Sequence, residues 1–175
     1  MAHRVGAAEQ EAVDGFRSRC LPRERPDREE RPALDRKPGR PARLVTELRL
    51  GLTEAQRTLA AGETESAVEQ FTALLADAEA HGLAEEQAAA LLGLGECALE
   101  TGDLAEGRLY FERAEARLSD APLTARVPAL RGRAVAHYLA GELRYAVYLL
   151  ESTLDELNRG GLHDPDALLL LYASV

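Results

Sequence analysis

The stretch from Leu91 to Ala114, LLGLGECALETGDLAEGRLYFERA, leaves this chain little choice of fold. Before Gly102, the apolar and small residues Leu91, Leu94, Gly95 and Ala98 recur at steps of three and four, which is one face of an α-helix. Gly102 then ends that helix, because glycine can take the left-handed backbone conformation that closes a helix terminus. Asp103 follows as an N-cap, with Glu106 three residues on, so a second helix starts at once. It carries Leu104, Gly107, Phe111, Ala114 and Leu118 on one side. Gly95 and Gly107 stand where two facing helices need to approach closely. The stretch predicts a tight antiparallel helix pair.

One such pair cannot bury both its apolar faces, so internal copies are expected. Alignment on the turn glycine finds them: Gly62 lies 40 residues before Gly102, and Gly141 lies 39 after it. Leu52, Ala55 and Leu59 precede Gly62, and Ala67, Phe71 and Leu74 follow it. Leu130, Ala134 and Tyr138 precede Gly141, and Ala146, Leu150 and Leu154 follow it.

The order large–x2–Leu–small–x2–aromatic or Ala–x3–Gly, then Ala–x3–Phe–x2–Ala, resembles the tetratricopeptide repeat. The middle copy carries the pattern most fully, in Leu94, Gly95, Gly102, Gly107, Phe111 and Ala114. Gly62, Ala67 and Phe71 mark the first copy, and Ala134, Gly141 and Ala146 the third. Gly107 replaces the usual alanine, and no copy has a large aromatic at the first anchor. The 39- and 40-residue spacings exceed the usual ~34. They are similar to the longer variant in large bacterial transcription activators and other signal-responsive regulators. The resemblance covers about residues 48–175 and implies an all-α fold: an antiparallel helix-pair solenoid of about three repeats plus the first helix of a fourth.

Helices are expected over about 44–61, 64–80, 84–101, 104–118, from an N-cap at Thr124, and over 143–158, with Gly82 and Gly160-Gly161 as further stops. Asp164 and Pro165 open a last helix containing Ala167 to Tyr172, apolar almost all round. Terminal solenoid repeats normally present a polar outer face. The chain therefore reads as a fragment of a longer array, or as one whose end a partner covers, self-association through this helix included.

Residues 1–43 read differently. Five prolines between Pro22 and Pro41, interleaved with charges of both signs, predict a disordered arm and linker before a helical domain at 44–175. Within it, Arg36-Lys37-Pro38-Gly39-Arg40-Pro41-Ala42-Arg43 is similar to an AT-hook, in which an extended arginine enters the minor groove. Arg36, Lys37, Arg40 and Arg43 are thus candidate DNA contacts, although a charged linker is the favoured reading. Residues 1–43 carry eleven Lys and Arg against eight Asp and Glu, and the remainder ten against twenty-two. Nucleic-acid binding through so acidic a helical part is not expected.

No chemistry of a catalytic kind stands out. The glycines are helix stops with no strand before them, so no phosphate loop is read. His3, His81, His137 and His163 are scattered, Cys20 and Cys97 show no ligand spacing, and Cys97 reads as a small buried residue. The expectations are no metal, no cofactor, no membrane span and no enzymatic activity, in a reduced cytoplasmic setting. What remains is a surface for a protein or peptide partner, in a bacterial signalling or transcription-regulatory protein. The resemblance implies that first-helix residues line its groove, which makes Arg49, Gln56, Glu96, Glu100, Arg131 and Tyr138 candidates. Tyr138 and Arg131 are the sharper pair, since both residue types concentrate at hot spots. Against them stand a packing role for Tyr138 and a plain solvated charge for Arg131.

Overall fold

The computed structural model describes residues 40–160. They form six helices and no strand: α1 (Arg40–Ala60), α2 (Thr64–Ala80), α3 (Ala84–Thr101), α4 (Leu104–Arg117), α5 (Leu123–Leu139) and α6 (Leu143–Arg159). Each helix packs on the next in chain order, and the first helices α1, α3 and α5 also approach one another. The backbones of α2, α4 and α6 make no such mutual approach. This is a stack of three hairpins, as the repeat pattern predicts.

The corners explain the regularity. Gly62, Gly82, Gly102 and Gly141 have φ between 65° and 83°, a region a side chain disfavours. At each, the glycine N–H and the next residue's N–H reach back to the carbonyls the helix end leaves unpaired. Gly102 N donates to Leu99 O at 3.1 Å, and Asp103 N to Ala98 O at 2.9 Å. That pair of hydrogen bonds is the Schellman closure. Gly82 therefore makes the same corner between hairpins that Gly62 and Gly102 make within them. At the start of α4, Asp103 Oδ1 accepts from Glu106 N at 3.1 Å, the expected cap. The link over 118–122 has no such glycine.

Two helix starts differ from expectation. α1 begins at Arg40, four residues early, because Pro41 occupies the first turn, where its missing N–H costs nothing. Arg40 and Arg43 are therefore helical, not part of an extended arm; Arg36 and Lys37 lie outside the described residues. α5 begins at Leu123 after Pro122, without a side-chain cap, so Thr124 is not the N-cap. Pro128 consequently lies beyond the first turn and removes one helical hydrogen bond. Asp164, Pro165 and the apolar helix expected after them lie outside the described residues.

Packing rests on phenylalanine against glycine. Phe71 and Phe111 are buried to within 1%. A Cβ built on Gly93 would fall 2.4 Å from the Phe71 ring, and one on Gly132 would fall 2.4 Å from Phe111. Each ring on a second helix thus fills a notch on the next repeat's first helix. Phe111 also lies over Gly95 of its own hairpin, where a Cβ would approach to 2.6 Å. At Gly107 a Cβ would meet the Gly95 carbonyl at 3.4 Å, the close helix approach expected there. Ala67, Leu94, Cys97 and Ala114 are buried in the same cluster as Phe71, and Ala134 and Ala146 are buried between α5 and α6.

Ion pairs join neighbouring hairpins at the edges of this core. Arg133 holds the place that Leu94 holds one repeat earlier; its Nη1 donates to Glu115 on α4 at 2.7 Å. Gln87, buried on α3, donates its side-chain amide to the Ala78 carbonyl at 3.1 Å and so seals the end of α2.

Candidate partner-binding face

The first helices form one continuous layer, and the sequence candidates distribute along it unevenly. Gln56 is exposed on α1, Glu96 and Glu100 are exposed on α3, and Arg131 is half-buried on α5. Three of these meet electrostatically: the Glu96 carboxyl interacts with Arg131 from the next repeat and with Glu100 one turn on. Desolvation pushes the Glu96 carboxyl above its ordinary value; Arg131 opposes the shift and Glu100 adds to it. Glu96 is thus exposed yet partly desolvated, between Arg131 and Glu100.

Arg49 has a different role. Its Nε donates to Glu86 at 2.9 Å and its Nη2 to Glu85 at 3.0 Å. Only 6% of the Glu86 side chain is exposed, and a carboxylate so deep needs a charged partner. Arg49 supplies it and locks α1 onto α3.

Tyr138 does not fill a packing site; it is 60% exposed. It borders an apolar cavity of about 330 Å³ between α5 and α6, which Leu143, Val147 and Leu150 also line. Beside it lies a polar group that the sequence reading missed. His137 is buried, with its Nδ1 2.6 Å from Glu142 Oε2. The Tyr145 ring stands edge-on to the imidazole at 4.5 Å, and Arg108 Nη1 from α4 reaches Glu142 at 3.4 Å. The hydrogen bond from His137 holds the Glu142 carboxyl below its ordinary value, with Arg108 adding to the effect. The only signal in the sequence was Gly141, whose corner folds Glu142 back over His137. Among the described residues, no group of three or more His, Cys, Asp or Glu is placed to hold a metal ion. None of the helices described is long and apolar enough to cross a membrane.

This geometry has a solved counterpart. A crystal structure of a TPR-like protein from Chlorobium tepidum matches with a TM-score of 0.56, covering 77% of this chain and 93% of that one. The fold is TPR-like. Sequence identity is 19%, so the likeness is one of architecture. No family model and no curated protein matches the chain. In TPR-like terms, α1, α3 and α5 are the first helices of successive repeats, and Glu96, Glu100 and Arg131 stand on them.

The shifted Glu96 carboxyl gives a testable sign. A carboxyl whose folded value exceeds its unfolded value contributes stability below the unfolded value, and this is lost as pH rises through the folded value. Glu96→Gln fixes the neutral form. The variant's thermal midpoint should rise relative to the parent's between about pH 4 and pH 7, as circular dichroism melts at both ends would read. A difference that is flat with pH would mean that Glu96 is not desolvated.

Proposed function

We propose that this chain is a noncatalytic scaffold that binds a protein or peptide along the face made by its first helices. The observation that supports the reading is Glu96. The fold holds this carboxylate in a desolvated place where ionisation costs stability; Arg131 offsets part of that cost and Glu100 adds to it. A charge kept against the interest of the fold points to a role outside it. Its natural complement is a basic side chain on a partner, which would relieve both carboxylates while an acidic partner group turns toward Arg131. The acidic balance of residues 44–175 favours the approach of such a partner.

The setting we propose is a bacterial, cytoplasmic signalling or transcription-regulatory protein, on the strength of the 39- and 40-residue repeat spacing. A DNA contact through Arg36, Lys37, Arg40 and Arg43 is the less favoured reading. An extended Gly39-Arg40-Pro41 arginine is what a minor groove would need, whereas α1 already contains Arg40 and Arg43 in its first turn.

Peptides selected from a random display library on residues 40–175 provide the test. Selected peptides should be basic, and Glu96→Arg with Glu100→Arg should weaken them by tenfold or more with an unchanged helical spectrum. Peptides that bind the double variant as tightly as the parent would refute this face as the site.

A further inference from the structure

The first helices of the second and third hairpins match one another in depth, position by position. A step of 39 residues carries Ala88, Ala90, Cys97 and Ala98 on α3 onto Val127, Ala129, Ala136 and His137 on α5, and all eight are buried. The same step carries Leu92 to Arg131, Glu96 to Val135 and Glu100 to Leu139, and none of these six is buried. Depth is therefore kept while chemistry changes. Two exposed carboxylates on α3 give way on α5 to an apolar group, in which Tyr138 is 60% exposed and Leu139 51%. On α1, forty residues before Glu96 and Glu100, the places are held by Gln56 and Ala60, neither charged nor large and apolar. Single exposed apolar side chains are ordinary. Here they stand at the positions that bear the carboxylates one repeat earlier, and α3 and α5 approach each other directly.

We infer that the partner is a peptide segment both basic and apolar, with an arginine or lysine against Glu96 and Glu100 and a large apolar side chain against Val135, Tyr138 and Leu139. Packed helix axes lie about 8–10 Å apart, so one short segment crossing from α3 to α5 meets both groups. The two contacts do different work. Carboxylates attract any basic chain, and salt screens that attraction. Burial of a large apolar side chain adds affinity that salt does not screen, and it separates peptides that carry such a residue from those that are merely basic. Arg131, one turn before Val135 on α5, opposes a basic group placed on that side and so fixes which end of the segment lies over α3. The inference names the partner of the face already assigned to binding and rests on that reading.

A cycle of changes on both molecules decides the matter. The tightest peptide selected from a random display library on the full chain is measured by fluorescence anisotropy, and it should carry both residue types. Replacing its large apolar residue by serine should weaken it by about tenfold or more, with the protein itself untouched. Tyr138→Ser with Leu139→Ser should do the same, at low and at high salt alike, with an unchanged helical spectrum. The serine peptide on the serine variant should lose little beyond either change alone, because both remove one contact. Glu96→Arg with Glu100→Arg should instead give a loss that shrinks as salt rises. Peptides that depend on Glu96 and Glu100 but ignore the apolar changes, or apolar losses that simply add, would overturn the inference and leave the face standing as the binding site. Binding indifferent to the charge reversals would overturn the face, and the inference with it.

Discussion

Phe111→Ala is expected to lower the free energy of unfolding by about 3–5 kcal/mol, the range for truncating a fully buried aromatic. The ring is 1% exposed and lies over Gly95 within its own hairpin and Gly132 in the next. Its loss therefore opens a void at a junction of three helices, α3, α4 and α5. Neither glycine has a side chain that could move in to fill it, so relaxation would have to come from the backbone. Chemical denaturation followed by circular dichroism reads the loss. A cost under about 1 kcal/mol, well outside the range for buried aromatics, would show that the two notches collapse freely and that the ring is not what holds the repeats together.

Gly132→Ala makes two physical effects compete, and the structure says which wins. Alanine in a helix interior is favoured over glycine by about 1 kcal/mol, so local propensity alone predicts a more stable protein. The added methyl, however, would stand 2.4, 2.5 and 2.7 Å from three atoms of the Phe111 ring. That ring is buried on all sides and has nowhere to retreat. Overpacking of this kind costs typically about 1–3 kcal/mol, and with the propensity gain subtracted the net change is expected to be a loss of up to about 2 kcal/mol. The same substitution combined with Phe111→Leu should lose less than the two changes do separately, because the smaller side chain vacates the space. A stabilised Gly132→Ala variant would mean that α4 and α5 separate more easily than their packing implies.

Much of the architecture was readable before any coordinates, and the reason is local. A helix end closed by glycine needs only the glycine and the residues on either side of it. α2 and α3 consequently have the expected bounds, and Asp103 caps as expected. Pro41 misled because a proline that blocks a helix interior is harmless in a first turn, and nothing local distinguished the two positions. Gly93 and Gly132 went unnoticed as notches for a different reason. Their meaning lies in what faces them from the preceding hairpin, and a motif read along one helix does not contain its neighbour. The ion pair of the groove candidate Arg49 was hidden for the same cause, since its partner Glu86 lies on the next first helix. On the candidate face, Glu96, Glu100 and Arg131 come together, while Tyr138, two turns beyond Arg131 on α5, borders the cavity between α5 and α6. Helical spacing put all four on first helices; only depth and neighbours separate them.

The order in which these helices touch has a kinetic implication. Every backbone interface in the described stack joins elements one or two steps apart along the chain. Few long loops must close before a contact forms, and chains of that kind search quickly. Assembly can begin at whichever hairpin forms first and spread in either direction. Damage should stay equally local: an injury at one junction loosens the two hairpins it joins and leaves the rest of the row standing.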